Sequence, residues 1–575
     1  MNNKIADIFE EVSILLEISG ENKFKCIAYS NAAKTIRVLS ESVEALLNKG
    51  ELQNIKGIGK GILQNIFEIV ESGELFFHKE LKQKFPNSIL ELLKIQGVGP
   101  KKIKTLYDKL NIASIDDLKI ACEKNLIANL DGFREKTQQN FLSAISSLSK
   151  NIDKHLYCDA LNSAEIILSF LKIQNEVEQV EIAGSIRRKK EIIGDIDILV
   201  SAKEIHREKI FNLFTQHEFV EKILSKGETK SSVILKSQIQ CDMRIVDGFQ
   251  FPFALNYFTG SKEHNVEMRS RAKKNGLSLN EYEFSLLDKK NKLPNCKTEK
   301  DIYKVLNLNY IPSELRENFG EFDFFENNTI ELVDETMLKG TFHCHTNFSD
   351  GKNSLEDMVE KAKSLGFLYF GIADHSKVAV YANGLDEKRV MEQHKKIDEL
   401  NFKQSQIKIL KGTEVDILRD GSLDFSDEVL SKFDYVVASI HSSFKMSKSE
   451  MTNRIVKALK NKYVSILGHP TGRLLLERDG YEVDMNEIIN VASDFGKSIE
   501  INSHPLRLDL DWRFCRYAKE KNVKIAINPD AHSIFEIENV KYGISVARKG
   551  WLEEKDVINC WKLDEVENFF SNQKR

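Results

Sequence analysis

Two aspartates flanking one isoleucine open a strand-like run, Gly194-Asp195-Ile196-Asp197-Ile198-Leu199-Val200. Residues two apart on a strand share a face, so both carboxylates can hold divalent cations side by side. Two cations so placed clamp the attacking and leaving oxygens of a phosphoryl transfer. Upstream stands Gly184-Ser185-Ile186-Arg187-Arg188. There Gly184 and Ser185 offer a close-approach turn with donors for a triphosphate tail, and Arg188 a bidentate phosphate partner. Asp242, in Gln240-Cys241-Asp242-Met243-Arg244, lies in another strand-like run that can pair alongside and add a third carboxylate. A solvated Asp pair at a strand edge is the bland alternative, and the Gly-Ser turn at this spacing disfavours it.

A second group of chemistry-bearing residues follows. Residues 337–575 hold eight of the 13 histidines. Six stand at the ends of apolar runs: His343 and His345, then His375, His441, His469 and His532, with Asp350, Glu414 and Asp530 among them. His-x-His on a strand puts both imidazoles on one face, a common metal-ligand spacing. A lone histidine is usually structural or on the surface; six at strand ends with acids at matching places call for metal. His394, in a charged helix-like stretch, reads as a surface residue, and His504 has no assignment.

Three glycine turns punctuate the first 150 residues: IKGIGK (55–60), IQGVGPKK (95–102) and LDGFREK (130–136). Gly57 and Gly59, and Gly97 and Gly99, let the backbone turn tightly into a helix whose first amides face a phosphate. Lys60, Lys101 and Lys102 add sequence-blind attraction to a nucleic-acid backbone. The third turn lacks the second glycine. A single such turn is more often a plain helix connection, but the first two share the pattern of DNA-backbone clamps.

These residues need elements to carry them. Residues 1–150 read as helices joined by short turns, and 151–318 mix strand-like runs with helices, an α+β pattern. A polar, acidic stretch at 319–336 reads as a linker. Beyond it strand-like runs recur seven times with helices between, from MLKGTFHCH to VKIAINPDAH. That repeat implies parallel strands with crossover helices, with sites gathered at the C-terminal strand ends. Length allows about three to five domains of roughly 100–200 residues. With 41% hydrophobic and 30% charged residues, the chain is ordinary globular protein, not disordered or collagen-like. Eight scattered cysteines without a CxxC pair fit reduced thiols. The start, MNNKIADIFEEVS, has acids where a signal peptide needs an apolar stretch. No apolar run approaches the ~18 residues of a membrane span. A cytoplasmic protein without membrane contact, and a monomer, is expected. Net charge is −4, and residues 319–575 carry 36 Lys and Arg against 43 Asp and Glu. Any nucleic-acid surface is therefore a local patch in the first part.

Taken together, GSIRR, GDIDIL, the Asp242 strand and YFTGSKEHN (257–265) fall in the order of the family X DNA polymerases, the group that includes polymerase β, which residues 1–318 resemble. The resemblance implies that Asp195, Asp197 and Asp242 bind two catalytic Mg²⁺. It also implies that Ser185, Arg188 and Gly194 hold the incoming triphosphate. Tyr257, Phe258 and Gly260 would line the sugar side, with Asn265 and Arg269 near the nascent base pair. Residues 337–575 are similar to a PHP (polymerase and histidinol phosphatase) domain, which binds up to three ions. By that likeness His343, His345, Glu414 and Asp530 take one metal, Glu414, His441 and His469 a second, and Asp350, His375 and His532 a third. Mixed N and O ligands suit Mn²⁺, Zn²⁺ or iron.

The implied fold is multidomain. An α-helical helix-hairpin-helix region would occupy 1–80 and 81–150, and an α+β polymerase β-like palm with its nucleotide-selection subdomain 151–318. After the linker at 319–336, a distorted (β/α)₇ PHP barrel would follow at 337–575. The whole chain resembles the bacterial family X polymerases with a C-terminal PHP domain. That implies short-gap filling on gapped or 3′-recessed DNA from deoxynucleoside triphosphates, with metal-dependent 3′-end processing. Two rival readings are a DNA-end scaffold with a dead centre and a DNA-targeted PHP phosphoesterase with a vestigial polymerase module; the intact aspartates oppose the first. Some relatives carry a Schiff-base lysine in the helix after the first glycine turn. Here Asn65 takes that place, and an amide supplies no nucleophilic amine.

Overall fold

The computed structural model describes residues 2–574 apart from 38, 40, 41, 56, 96, 151, 152, 288–292 and 404. The chain divides into two units, 1–152 and 153–575.

The first unit is helical. Helix Lys60–Ser72 buries Ile62, Ile66 and Ile69, spaced by four and three residues so that one face meets the core. It ends at Gly73 in the left-handed conformation, which satisfies the last carbonyls without a Cβ clash. Helix Pro100–Leu110 starts on proline, where the missing N–H costs nothing, and buries Ile103 and Leu106. Lys56 and Gln96 of the two glycine turns lie outside the described residues. The helices enclose two apolar clusters, one spanning Ile5 to Leu81 and one formed mainly by Ile89 to Ile145.

The second unit opens with a five-stranded sheet, in spatial order Gln179–Ile182, Asp195–Ser201, Gln240–Val246, Lys230–Leu235, Val220–Lys226. The second and third strands run parallel, with Asp197 opposite Asp242. Ile196, Ile198 and Val200 point into the core shared with Ala160, Ala164 and Ile167 of helix Tyr157–Lys172. Alternation along the strand therefore leaves Asp195 and Asp197 on the opposite face.

The barrel comprises a three-stranded and a five-stranded parallel sheet. Bridges between His375 and Glu414, and between Cys344 and Ala531, link their edges and close it. The third strand-like run, IKILKGTEVD, is split into Lys408–Lys411 and Glu414–Asp416. At Gly412 between them, any Cβ would stand 2.2 Å from Cζ of Tyr435, so the strand bends around that buried ring.

The stretch 319–336 is not a solvated linker. It carries helix Glu321–Phe325 and buries Phe322, Phe325, Leu332 and Val333, with Phe325 and Phe324 against Trp551. One of its acids serves inside: Glu321 accepts from the amides of Asn318 and Phe319 and meets His264 Nδ1 at 2.9 Å, while Asp323, Glu326, Glu331 and Glu335 stay exposed. One apolar cluster runs from Tyr157 and Ile167 of the palm to Tyr542 and Val546 of the barrel. His394 is likewise buried, its ring edge-on to Phe433 at 4.8 Å, because an amphipathic helix turns it inward. No described helix is long and apolar enough to cross a membrane.

Candidate active sites

Asp195, Asp197 and Asp242 converge: one oxygen of each lies within 4.8 Å of the others. The parallel register aligns Asp197 with Asp242, and Ala183 N donates to Asp197 O at 2.8 Å, which brings the Gly184 turn against the strand. Gly184 has φ +60°, and a Cβ there would meet Asp197 Oδ2 at 2.1 Å. Only glycine fits this contact. Burial, with repulsion from Asp195 and Asp242, pushes the Asp197 carboxyl up to about 7. Asp242 shifts the other way: burial opposes ionisation, but hydrogen bonds from Lys230, Ser232 and Gln240 outweigh it. Lys230 Nζ reaches Asp242 Oδ2 at 2.5 Å. Three crowded carboxylates with one lysine between them are a donor set made for divalent cations.

A cavity of about 380 Å³ opens beside the triad. Gly184, Ser185, Arg188, Tyr257, Phe258, Gly260, Asn265 and Arg269 line it with Asp195 and Asp197. Gly194 is not among the lining residues. Lys262 is, although sequence reading gave it no role; a lysine within the YFTGSKEHN run was the available signal. Asn265 Nδ2 donates to Tyr257 O at 2.7 Å, which ties the two walls of the cavity. The neighbouring Arg187 is turned away into a buried pair with Glu299 at 2.6 Å, shared with Arg316. Burial alone would raise Glu299, but the two arginines hold it down at about 2.

In the barrel, Glu414 is the hub. It is 1% exposed, and its oxygens lie 3.4 Å from His343 Nε2, 2.9 Å from His375 Nδ1, 3.2 Å from His441 Nε2 and 3.0 Å from His469 Nε2. Asp530 Oδ1 stands 3.2 Å from His345 Nε2, and Asp350 Oδ1 3.4 Å from His532 Nε2. Ligand atoms converge in three overlapping groups: His345, Asp350, His375 and His532; His343, His345 and Asp530; His375, Glu414 and His441. His345 and His375 are thus each within reach of two groups, where the family pattern gives each a single ion. His343 Nε2, both ring nitrogens of His345, His469 Nδ1 and Glu414 Oε2 are buried without a hydrogen-bond partner. Buried polar atoms left this way fit metal ions.

The crowded acids and imidazoles shift one another strongly. Burial opposes a charge on His343, yet Glu500, Glu414 and Asp530 hold its pKa well above the usual imidazole value. Burial and the neighbouring His532 and His375 push His345 down to about 3. The second layer was missed from sequence. Glu500 meets His343 Nδ1 at 2.7 Å and is fully buried, and Asp416 faces His441 Nδ1 at 3.3 Å. Such carboxylates fix the orientation of a ligating imidazole. The signal was present as an acid at or near a strand end: Glu500 two residues before the end of Ser498–Asn502 and Asp416 closing Glu414–Asp416.

In the helical unit, Gly59 and Gly99 cap helices Lys60–Ser72 and Pro100–Leu110, and Gly57 and Gly97 turn with φ of 99° and 85°. Lys60 and Lys101 are exposed, whereas Lys102 is held by Gly97 O at 2.6 Å and stands over the Phe141 ring. Asn65 Nδ2 donates to the Tyr29 hydroxyl at 2.7 Å.

Family models match along the chain. They describe a helix-hairpin-helix domain at residues 1–75, a SAM-like helix-hairpin-helix tandem at 89–145, a DNA polymerase beta palm at 159–246, a DNA polymerase beta thumb at 254–317 and a PHP domain at 341–504. A palm and thumb of this type joined to a PHP barrel define the class, a polymerase of the β type with a second, metal-binding module. DNA polymerase/3′-5′ exonuclease PolX of Bacillus subtilis (strain 168) is 35% identical over 567 residues, 98% of each chain, and this chain belongs to that family. Part of the chain is also similar to a probable phosphatase of Thermoanaerobacter sp. (strain X514), 31% identical over 179 residues, 29% of this chain and 70% of that protein. A probable phosphatase of Acetivibrio thermocellus is 30% identical over 207 residues, 34% of this chain and 80% of that protein.

Proposed function

We propose that the chain is a gap-filling DNA polymerase of DNA repair with an attached 3′-5′ exonuclease. The carrying observation is the presence, in one chain, of a convergent aspartate triad beside a Gly184–Arg188 cavity and of eight ligand-type residues that converge around Glu414, with His469 beside it. Asp195, Asp197 and Asp242 would hold two Mg²⁺, and the barrel ligands up to three Mn²⁺ or Zn²⁺. When bound, such ions neutralise charge on the transferring phosphate and acidify bound hydroxyls.

The chain's own residues do the rest. Ser185 and Arg188 hold the triphosphate tail, Tyr257 and Phe258 take the sugar side, and Asn265 and Arg269 lie near the new base pair. The primer 3′-oxygen then bonds to the α-phosphorus as pyrophosphate leaves. In the barrel, Glu500 and Asp416 keep His343 and His441 aimed at the shared centre. There a water oxygen would bond to the phosphorus of the last phosphodiester as the 3′-oxygen of the shortened strand leaves and takes a proton, releasing a nucleoside 5′-monophosphate. The glycine turns, with Lys60 and Lys101, grip the DNA backbone. Extension and shortening of one 3′-recessed duplex, set against hydrolysis of histidinol phosphate and an aryl phosphate, test the whole reading. Turnover of the small esters without extension would establish the phosphoesterase alternative.

Two further outcomes are expected. The exonuclease runs faster with Mn²⁺ than with Mg²⁺, because imidazole-rich sites favour the softer ion. Chelation followed by add-back of each metal measures this, and equal rates would remove the imidazole argument. The helical unit shows no efficient lyase chemistry. Asn65 is engaged with Tyr29 and has no amine to form a Schiff base. Borohydride trapping on a 5′-deoxyribose-phosphate end should leave the protein uncrosslinked.

A further inference from the structure

Residues 187–191 begin one residue after the Gly184-Ser185 turn, and side chains of the barrel hold this segment at three points. Lys189 Nζ donates to Ser545 Oγ at 3.4 Å, Arg473 Nη2 to Glu191 Oε1 at 3.4 Å, and Lys549 Nζ to the backbone oxygen of Arg188 at 2.9 Å. Lys549 is the last residue of barrel helix Val540–Lys549 and is 1% exposed. Its ammonium also donates to Glu314 O at 3.2 Å and to Glu317 Oε1 at 2.6 Å. That same Glu317 oxygen accepts from Arg188 Nε at 3.1 Å. Arg188 Nη1 in turn donates to Thr259 O, beside Gly260.

The ammonium therefore reaches Arg188 twice, at its carbonyl and, through a shared carboxylate oxygen, at its guanidinium. A lysine has three N–H donors, and here three acceptors meet them. Burial pulls this amine down to about 8, with Glu317 opposing the shift. Such a group is costly to bury, and full satisfaction of its protons offsets that cost. A hydrophobic residue would fill the space more cheaply, so simple packing does not account for a lysine. The guanidinium that it braces lines the polymerase cavity, not the barrel cluster.

We propose that Lys549 is a positioning residue for nucleotide binding: the barrel helix braces Arg188 in the geometry that receives the triphosphate, so the PHP domain is a structural part of the polymerase site. The inference rests on the reading of Arg188 as the triphosphate partner. Without Lys549, Glu317 keeps only Arg188 and is free to move with it. The guanidinium then samples more orientations, and nucleotide affinity falls before chemistry does.

The test is steady-state single-nucleotide incorporation by the full chain, for the parent, Lys549→Met, Arg188→Ala and the double variant. Shortening of a 3′-recessed duplex by the same preparations reports that each is folded. Lys549→Met is expected to raise the KM for the nucleotide about tenfold, with kcat within about twofold of the parent. The double variant should bind no worse than Arg188→Ala, because Lys549 then has no guanidinium to position. A parental KM for Lys549→Met, or an effect that adds in full to that of Arg188→Ala, overturns the inference. A parental KM for Arg188→Ala instead overturns the triphosphate assignment beneath it. If Lys549→Met does not fold, Glu317→Gln weakens the shared anion at nearly constant volume and must raise the same KM; a parental value there rejects the brace.

Discussion

Glu414→Ala is expected to abolish 3′-end shortening, by at least about a thousandfold, while primer extension persists. Glu414 is the carboxylate that His343, His345, His375, His441 and His469 all approach, at 2.9 to 3.7 Å. Its loss removes the carboxylate proposed to be shared by two ions, so cations bound there would repel each other with less screening and hold water poorly. The imidazoles left behind are already crowded, with the His345 and His375 rings 4.5 Å apart. The palm triad shares no ligand with this cluster, so extension should continue. His343→Ala combined with His345→Ala should act in the same way. A paired assay scores both activities on one 3′-recessed duplex. If Glu414→Ala shortens DNA as fast as the parent, hydrolysis lies elsewhere and the barrel is structural.

The converse holds for the triad. Asp195→Ala or Asp197→Ala should lower nucleotide addition by at least about a thousandfold, because each removes a carboxylate from the triad proposed to hold two cations. The environment of Asp197 makes it the harder of the two to replace. It is pressed against the Gly184 turn, where no other residue would fit, and its backbone oxygen receives Ala183 N. Affinity for gapped DNA should change little, since the glycine-turn lysines stand on another part of the chain. Shortening of the same duplex should continue. A double variant that extends a primer at the parental rate would remove the two-metal assignment, and a gel-shift titration distinguishes lost chemistry from lost DNA binding.

The expectation of separable activities thus concerns point changes at ligands, not excision of a domain. Tyr157 of the palm and Tyr542 of the barrel face each other edge-on at 6.3 Å within a common apolar cluster. A truncation through 319–336 would expose Phe322, Phe325 and Trp551, which bury one another. Loss of extension in such a fragment would therefore say nothing about the barrel's metal ligands.

Much of both sites was legible in the sequence, because metal and phosphate chemistry restricts residue type and strand geometry restricts spacing. Asp-x-Asp and His-x-His show themselves on one line of text, since a period of two needs no tertiary knowledge. The Gly-Ser turn was readable for a similar reason: close backbone approach requires a residue without a side chain. What the sequence did not determine depends on distance through space. Glu500 and Asp416 look like any acids on buried strands until the barrel brings them to His343 and His441. The allocation of His345 and His375 among ligand groups follows from the bridges that bring their strand ends beside Ala531 and Glu414. The acids of 319–336 and the charged helix around His394 carry the composition of surface. Within them Glu321 and His394 fold inward because partners distant in sequence, His264 and Phe433, satisfy or cover them. Lys549 is the extreme case, one of 83 basic residues, set apart only by the three acceptors that the tertiary structure gathers around its ammonium.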